Sequence, residues 1–208
     1  MMLWVVSAAV LLITSAAAVI VGIDSYQYRQ NQQLIEKFAP DKDKAPSKTL
    51  VVFFSRSGNT EIMARKITQL TGADILPLQS AHNQIGGGGW LQALQDARNT
   101  DADITPNKVD LSAYDTVYIG SPVWLYNPAP QIYQFAKNHD FSGKQVILFN
   151  SMNSKFEQRF IDDFKDIVKQ NGGTFTRHLY IIRGRMGQQM PADVFLQKVE
   201  KLMETEAH

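Results

Sequence analysis

The chain of 208 residues contains no cysteine, which excludes several kinds of chemistry at once. Disulfide bonds, palmitoylation, prenylation and thioether lipidation all need a thiol, so none of them is available to this protein. Iron–sulfur clusters held by cysteine and dithiol redox chemistry are excluded for the same reason. If this protein transfers electrons, an organic cofactor has to carry them.

An excess of charge is also missing, because 21 Lys and Arg residues stand against 20 Asp and Glu residues, for a net charge of +1. No basic cluster with interleaved aromatic residues occurs, so a nucleic-acid partner is not expected. The four histidines are scattered, and we assign no catalytic residue and no metal ligand from the sequence. Of these, His178 lies within a predicted strand, where packing is the expected role.

Charged side chains are absent from residues 1–23, where an apolar run is long enough to cross a bilayer as a helix. A cleaved secretory signal is the rival interpretation, but no Lys or Arg precedes the run, and it exceeds the usual apolar core of about 7–15 residues. We therefore predict an uncleaved single-pass membrane anchor. Basic residues such as Arg29 and Lys37 follow the anchor, which favours a cytoplasmic location for the rest of the chain.

The chain after the anchor divides into a linker and one domain. Residues 24–47 are rich in Gln, Asn and charge and contain Pro40 and Pro46, which predicts a linker. Its first half could continue the membrane helix, and its second half is expected to be extended or flexible. Residues 48–208 are sufficient for one compact domain.

A hydroxyl-rich loop, Ser55-Arg56-Ser57-Gly58-Asn59-Thr60, lies between an apolar strand and a helix with apolar residues at helical spacing. The unpaired N–H groups and the dipole at a helix N-terminus favour an anion, so the loop is a candidate phosphate site. It matches neither the Walker motif nor the dinucleotide GxGxxG motif. An ordinary helix start, capped by the side chain of Asn59 or Ser57, is the alternative.

Strands and helices alternate through the rest of the domain. Strands are predicted at 50–54, 73–79, 115–124, 144–151 and 174–184. Helices are predicted from the hydroxyl-rich loop to about residue 71 and at 90–99, 129–139, 156–173 and 191–206. This alternation is typical of a parallel sheet covered on both faces, in which ligands bind beyond the carboxyl ends of the strands. The loops after the first, third and fourth strands are therefore expected to converge on one site.

The loops after the third and fourth strands have the composition of a binding site. The first of them carries Trp124 and Tyr126 among three prolines, and these rings offer flat faces for stacking on a ring system. Core packing beneath a long loop is the alternative for this pair. The loop after the fourth strand, residues 150–154, is short and polar and can donate to the polar edges of a ring.

Three segments together, SRSGNT, YDTVYIGSPVW and SGKQVILFNSMNS, resemble the flavodoxin-like FMN-binding family, and the resemblance covers residues 48–206. The GSPVW loop is most similar to flavodoxin-type reductases and quinone-reductase-like proteins. The resemblance implies a doubly wound α/β fold with a five-stranded parallel sheet in the order 2-1-3-4-5, and it implies FMN as the cofactor.

The resemblance also implies which residues contact the cofactor. The FMN phosphate would be surrounded by Ser55, Arg56, Ser57, Gly58, Asn59 and Thr60. The isoalloxazine ring would be lined by Pro122, Val123, Trp124, Leu125, Tyr126 and Asn127. The other polar edge of the ring, or the ribityl chain, would face Asn150, Ser151, Met152 and Asn153.

Three functions remain open at this point. The favoured one is an FMN-dependent oxidoreductase at the membrane surface, which passes electrons from NAD(P)H to a quinone-like or protein acceptor. The second is an electron carrier docked to a membrane redox partner, although small carriers of this family are usually acidic and this chain is nearly neutral. The third is a non-redox FMN-binding module. Relatives of the reductase type often form dimers, so a homodimer is also an expectation.

Two features allow more than one interpretation. The run Gly86–Gly89 predicts either a mobile lid near the flavin or a flexible surface connection. Arg183 and Arg185 follow the last strand and could bind a nicotinamide phosphate or an acidic partner, but exposure to solvent is the favoured expectation for both.

Overall fold

A computed structural model describes residues 18–19, 21–23, 25–38, 45–81, 87–97, 99–185 and 187–205. Its centre is a sheet in which five strands run parallel in the order β2-β1-β3-β5-β6, and a short antiparallel strand, β4, pairs with the end of β3. The strands are β1 (Thr49–Phe54), β2 (Asp74–Leu78), β3 (Thr116–Trp124), β4 (Asn127–Pro128), β5 (Gln145–Met152) and β6 (Thr174–Ile182).

Helices cover both faces of this sheet. A first helix, α1, is described over residues 25–35, and the described residues 18–19 and 21–23 before it are also helical. The others are α2 (Asn59–Thr71), α3 (Gly87–Asp96), α4 (Pro130–Asn138), α5 (Gln158–Gln170) and α6 (Ala192–Glu204). Because α2 contacts α6 while α4 contacts α5, these two pairs form the two outer layers.

The alternation of side chains along β1 divides the core into two halves. Val52 and Phe54 belong to the cluster that includes the buried residues of α4 and α5. Val51 and Phe53 belong to the cluster formed with α2 and α6. Successive side chains of a strand point to opposite faces, so a strand that is apolar at every position has to be covered on both sides.

The predicted parallel α/β sheet is confirmed, and the order of its five parallel strands agrees with the predicted order. The prediction lacked β4, because a two-residue strand is too short to produce a pattern in the sequence. The helix predicted at 90–99 begins earlier than expected, since Gly87–Gly89 form the first turn of α3. The preceding part of the predicted glycine lid, Gly86, lies outside the described residues.

The prediction of a single-pass membrane protein with a cytoplasmic domain is wrong. Among the described residues, no helix is both long enough and apolar enough to cross a bilayer. Most of the predicted anchor, residues 1–23, lies outside the described part of the chain. The physical reason for the error is that an apolar run reports only a preference for apolar surroundings, which a protein interior provides as well as a lipid bilayer does.

The first half of the predicted linker, which the sequence allowed to be helical, packs on the domain. Residues 25–35 of the predicted linker form α1, and two of its residues, Asn31 and Ile35, are buried against the domain. Ile35 joins the core cluster on the α2 and α6 side of the sheet. The helix is therefore packed on the domain at the beginning of α2.

Gly120 in β3 offers a direct test of how closely the sheet is packed. A Cβ atom at this position would lie 2.1 Å from the ring of Phe149, the residue paired with it on β5. Phe149 is fully buried, so the ring has little room to move. We expect Gly120→Ala to lower the free energy of unfolding by about 1–3 kcal/mol, as measured by urea denaturation.

The double variant Gly120→Ala/Phe149→Leu is the control for this prediction. A smaller side chain at residue 149 leaves space for the new methyl group, so the two substitutions together should cost less than the sum of their separate costs. A Gly120→Ala protein as stable as the wild type would contradict the close contact.

Candidate functional site

A cleft of about 290 Å³ opens at the carboxyl edge of the sheet, beyond the ends of β1, β3 and β5. Its walls come from the three loops that the sequence predicted to converge, together with one residue each from α1, α3 and the segment before α6. The lining residues are Gln27, Ser55, Arg56, Ser57, Asn59, Thr60, Ala93, Pro122, Val123, Trp124, Leu125, Ser151, Met152, Asn153 and Gln189.

The loop between β1 and α2 has the backbone geometry of an anion site. Gly58 is the N-cap of α2 and has a φ of 90°, which disfavours any residue with a side chain. No side chain from the described residues caps this helix, so the predicted alternative of a start capped by Asn59 or Ser57 is not what the structure shows. Its first N–H groups are consequently available to a ligand.

Hydroxyl groups fix the shape of this loop and join it to its neighbour. The Oγ atom of Ser55 accepts a hydrogen bond of 3.1 Å from the backbone N–H of Gly58. The side-chain oxygens of Thr60 and Ser151 lie 2.8 Å apart and share a buried hydrogen bond. Because Ser151 lies at the end of β5, this contact holds the loops after β1 and β5 together on one side of the cleft.

The loop after β3 is a tight hairpin with two strained residues. Leu125 and Tyr126 have φ values of 43° and 73°, and they connect Trp124 to Asn127, which pair across the hairpin. Positive φ at both central positions is typical of a type I′ turn, which strongly prefers Asn and Gly. Side chains that occupy such positions cost stability and are frequent at binding sites.

The two aromatic residues of this hairpin have different surroundings. The Trp124 ring lines the cleft and packs edge-on against Phe54, with the ring centroids 5.7 Å apart. Tyr126 does not line the cleft; its side chain is 40% exposed, and the ammonium group of Lys155 lies 4.9 Å from the centre of its ring. Only Trp124 of this pair is therefore placed to contact a ligand in the cleft.

Twelve of the sixteen residues that the sequence assigned to the cofactor line this cleft, and four do not: Gly58, Tyr126, Asn127 and Asn150. Gly58 contributes through its backbone conformation, as described above. Asn127 is buried and uses its side chain inside the protein, where it donates to the carbonyl of Ala97 and accepts from the hydroxyl of Tyr133. Asn150 is also buried and donates to the carbonyl of Ser121.

The structure also brings residues to this site that the sequence did not predict. Gln27, Ala93 and Gln189 line the cleft from segments outside the three loops. Arg183 was expected in solvent, yet its side chain is only 6% exposed and contacts Asn59 of the β1–α2 loop. The sequence carries no local signal for these positions, because each reaches the site through the packing of a distant element.

A doubly wound sheet with an uncapped helix start at its carboxyl edge defines the class of α/β proteins that bind ligands at a topological switch point. Within that class the chain belongs to the flavodoxin family, because the family model described as flavodoxin matches residues 48–174, more than half of the chain. The match includes β1 to β5 and ends at the first residue of β6.

Flavodoxin 1 of Escherichia coli K12 is 26% identical to this chain over 138 residues, which are 62% of this chain and 66% of that protein. The flavodoxin of Klebsiella pneumoniae is 25% identical over 136 residues, 62% of this chain and 65% of its own length. The chain thus matches slightly less than two thirds of the length of these relatives.

Solved structures show the same fold. A candidate flavoprotein from Bacteroides eggerthii superposes with a TM-score of 0.57 and 20% identity, covering 76% of this chain and 98% of that chain. A flavoprotein from Lactobacillus acidophilus in complex with FMN gives a TM-score of 0.53 and 22% identity, covering 64% of this chain and 92% of that chain. At these identities the similarity establishes the fold.

His178 on β6 contacts Asn150, the residue before the cleft-lining Ser151, and we expect its titration to make the stability of the fold depend on pH. Its Nε2 atom lies 2.8 Å from the side-chain oxygen of Asn150, and its ring packs edge-on against Phe156. Burial lowers the pKa of His178 to about 4 from an ordinary value of 6.5. The imidazole is therefore neutral in the folded protein at pH 7.

Since the pKa of His178 is lower in the folded state than in the unfolded state, the unfolded state binds the proton more readily between these values. The contribution of neutral His178 to the free energy of unfolding is fully present above pH 6.5. It is lost as the pH falls toward 4, and the loss is about 3 kcal/mol. Urea denaturation at several pH values should show this loss in the wild type. His178→Gln, which cannot titrate, should show a smaller loss, and equal losses in the two proteins would contradict the shifted pKa.

Proposed function

We propose that this protein binds FMN and transfers electrons, as a carrier of the flavodoxin type. The observation that carries the proposal is the convergence of three loops on one cleft. The β1–α2 loop supplies the anion site, the β3–β4 hairpin supplies an indole ring, and the β5 loop supplies polar groups between them. Flavodoxin 1 of Escherichia coli and an FMN-bound flavoprotein of the same fold support this assignment.

The anion end of the cleft fits a phosphate monoester. Hydroxyl groups of Ser55, Ser57 and Thr60 line it beside the uncapped start of α2. No Asp or Glu occurs among the described residues that line the cleft, whereas Arg56 does, so nothing in the lining repels a dianion. Such a donor set binds phosphate through backbone N–H groups and hydroxyls together with the helix dipole.

The other end fits a flat, largely apolar ring. Trp124, Leu125 and Met152 line this part of the cleft, and Pro122 restricts the loop that carries the first two. Bound FMN would supply reversible acceptance and donation of electrons, which no side chain of this chain can provide. The task of the protein is to bind the ring, orient it and exclude water from its buried face.

The carrier function rests on the shape of the rim. Leu125 is 48% exposed and Tyr126 is 40% exposed at the tip of the hairpin, so the apolar end of the cleft opens onto an apolar part of the surface. A redox protein docked there would bring its own redox group close to the ring. Described residues of the lining include no His, Asp or Glu that could serve as an acid or base for a small-molecule substrate.

Binding and reduction of FMN by the full-length protein test this function. We expect the apoprotein to take up one equivalent of FMN, seen as quenched flavin fluorescence. Bound flavin should be bleached by dithionite or by a flavodoxin reductase and only slowly by NADPH alone. Rapid bleaching by NADPH with turnover of a quinone would instead establish the NAD(P)H oxidoreductase activity expected from the sequence, and a protein that takes up no FMN would refute both.

Trp124 tests the position of the ring. Trp124→Ala removes the largest apolar surface of the lining, so the affinity for FMN should fall about tenfold in a fluorescence titration. Trp124→Phe, the matched control, keeps an aromatic ring in the hairpin and should retain most of the affinity. Equal affinities for FMN in the wild type and Trp124→Ala would place the ring elsewhere.

A further inference from the structure

Arg183 is a buried cation to which the described part of the chain offers no carboxylate partner. Its side chain is 6% exposed, and no carboxylate among the described residues forms an ion pair with it. The guanidinium lies 4.8 Å from the centre of the buried Phe195 ring, and its Nε atom has no hydrogen-bond partner in the described part of the chain. Burial lowers the pKa of Arg183 to about 10, so the group is still charged at pH 7.

A buried charge of this kind is unfavourable unless an anion or a set of dipoles compensates it. The backbone holds Arg183 in place, because its N–H donates to the carbonyl of Met152 at 2.9 Å and its carbonyl accepts from Met190 at 2.8 Å. Arg183 follows the last residue of β6 directly and is bonded to Met152 at the end of β5, beside the loop that lines the cleft. Its position is fixed by the sheet edge, and the side chain extends toward the start of α2.

The side chain of Asn59 connects this cation to the cleft. Its oxygen accepts a hydrogen bond from Nη1 of Arg183 and a second one, of 2.7 Å, from Nδ2 of Asn31 on α1. Asn31 Nδ2 also donates to the carbonyl of Ser57 at 2.7 Å. We call these three side chains, Asn31, Asn59 and Arg183, the clasp.

The clasp fixes which way the Asn59 amide points. An Arg side chain has only donors, so the atom that faces it has to be the oxygen of Asn59. The NH₂ group of Asn59 consequently points away from Arg183, and it has no protein partner within the described residues. Asn59 lines the cleft at the first position of α2, where a donor can reach an anion held by the helix start.

Two of the three clasp residues come from parts of the chain outside the family match. Asn31 precedes and Arg183 follows residues 48–174, the segment that matches the flavodoxin model, and only Asn59 lies within it. Asn31 is 3% exposed, and its Cβ atom lies so near Gly58 that a Cβ added to the glycine would be only 2.8 Å away. The two flanking segments thus meet at the β1–α2 loop.

We propose that Arg183 is a positioning residue that gives the cleft its preference for a phosphorylated flavin, by supplying a buried positive charge and by orienting the Asn59 amide toward the phosphate. This inference rests on the proposed FMN binding. It predicts that Arg183 contributes to the binding of FMN and contributes almost nothing to the binding of riboflavin, which has the same ring and no phosphate.

The experiment compares the affinities of FMN and riboflavin in full-length Arg183→Met, measured by fluorescence quenching. Because hydrogen bonds to charged groups contribute strongly to binding, the affinity of the variant for FMN should fall about tenfold to a hundredfold. Riboflavin affinity should change less than about twofold, so the preference for FMN collapses. Inorganic phosphate should raise the melting temperature of the wild-type apoprotein, and this shift should be much smaller in the variant.

Arg185→Met is the matched control. Arg185 lies two residues after Arg183 and its side chain is exposed, so this variant removes the same charge from the surface. It should leave both affinities as in the wild type. If Arg183→Met does not fold, Arg183→Lys decides the matter: it keeps the charge but loses the planar fork, and the FMN preference should fall about threefold to tenfold.

The outcomes separate this inference from the function on which it rests. A wild type that binds neither flavin refutes the proposed function. A wild type that binds both flavins, with an unchanged FMN preference in the Arg183 variants, overturns only the role of Arg183. Parallel losses of FMN and riboflavin affinity would show that Arg183 acts through packing alone, which also overturns the inference.

Discussion

The carboxyl ends of neighbouring parallel strands have to release the chain at the same edge of the sheet, and the whole site depends on this constraint. β1, β3 and β5 lie side by side, so the three loops that follow them share one space. Helices pack on both faces of the sheet, so the loops at this edge can form a cleft that is open to solvent. Hydroxyls, an indole and amides that lie far apart in the sequence therefore line a single cleft. The hydrogen bond between Thr60 and Ser151 holds two of the loops together on one side of it.

The features that depend on local sequence patterns could be predicted from the sequence. Apolar runs predicted the bounds of the five parallel strands to within two residues. Glycine and hydroxyl residues indicated the position of the β1–α2 loop. The orientation of individual side chains could not be predicted where it depends on packing between distant parts of the chain. Asn127 and Asn150 have polar side chains suited to a ligand, yet their neighbours Tyr133 and Ser121 use them inside the protein. A loop sequence does not reveal whether its amides point outward or inward.

Two other errors have a common physical origin. Arg183 was expected in solvent because Arg is rarely buried. The apolar run at the N-terminus was assigned to a bilayer because it is apolar, but hydropathy does not distinguish a bilayer from other apolar surroundings. In each case the prediction used the average preference of a residue type, and for Arg183 the structure shows the specific contacts that override it. Arg183 is held by Phe195 and Asn59. The helix that follows the apolar run, α1, packs on the domain through Asn31 and Ile35. The contact between Arg183 and Asn59 joins residues 124 positions apart in the chain, and the contacts of α1 cross from a flank into the domain.

The position of the clasp has a consequence for where the functional unit ends. A fragment cut to the limits of the family match, residues 48–174, would contain the β1–α2 loop but neither of the side chains that hold its Asn59 from outside. It would also lose β6 after its first residue and expose the edge of β5. Sequence similarity therefore marks a smaller unit than the one that has to fold, and flavin affinities measured on such a fragment would describe an incomplete site.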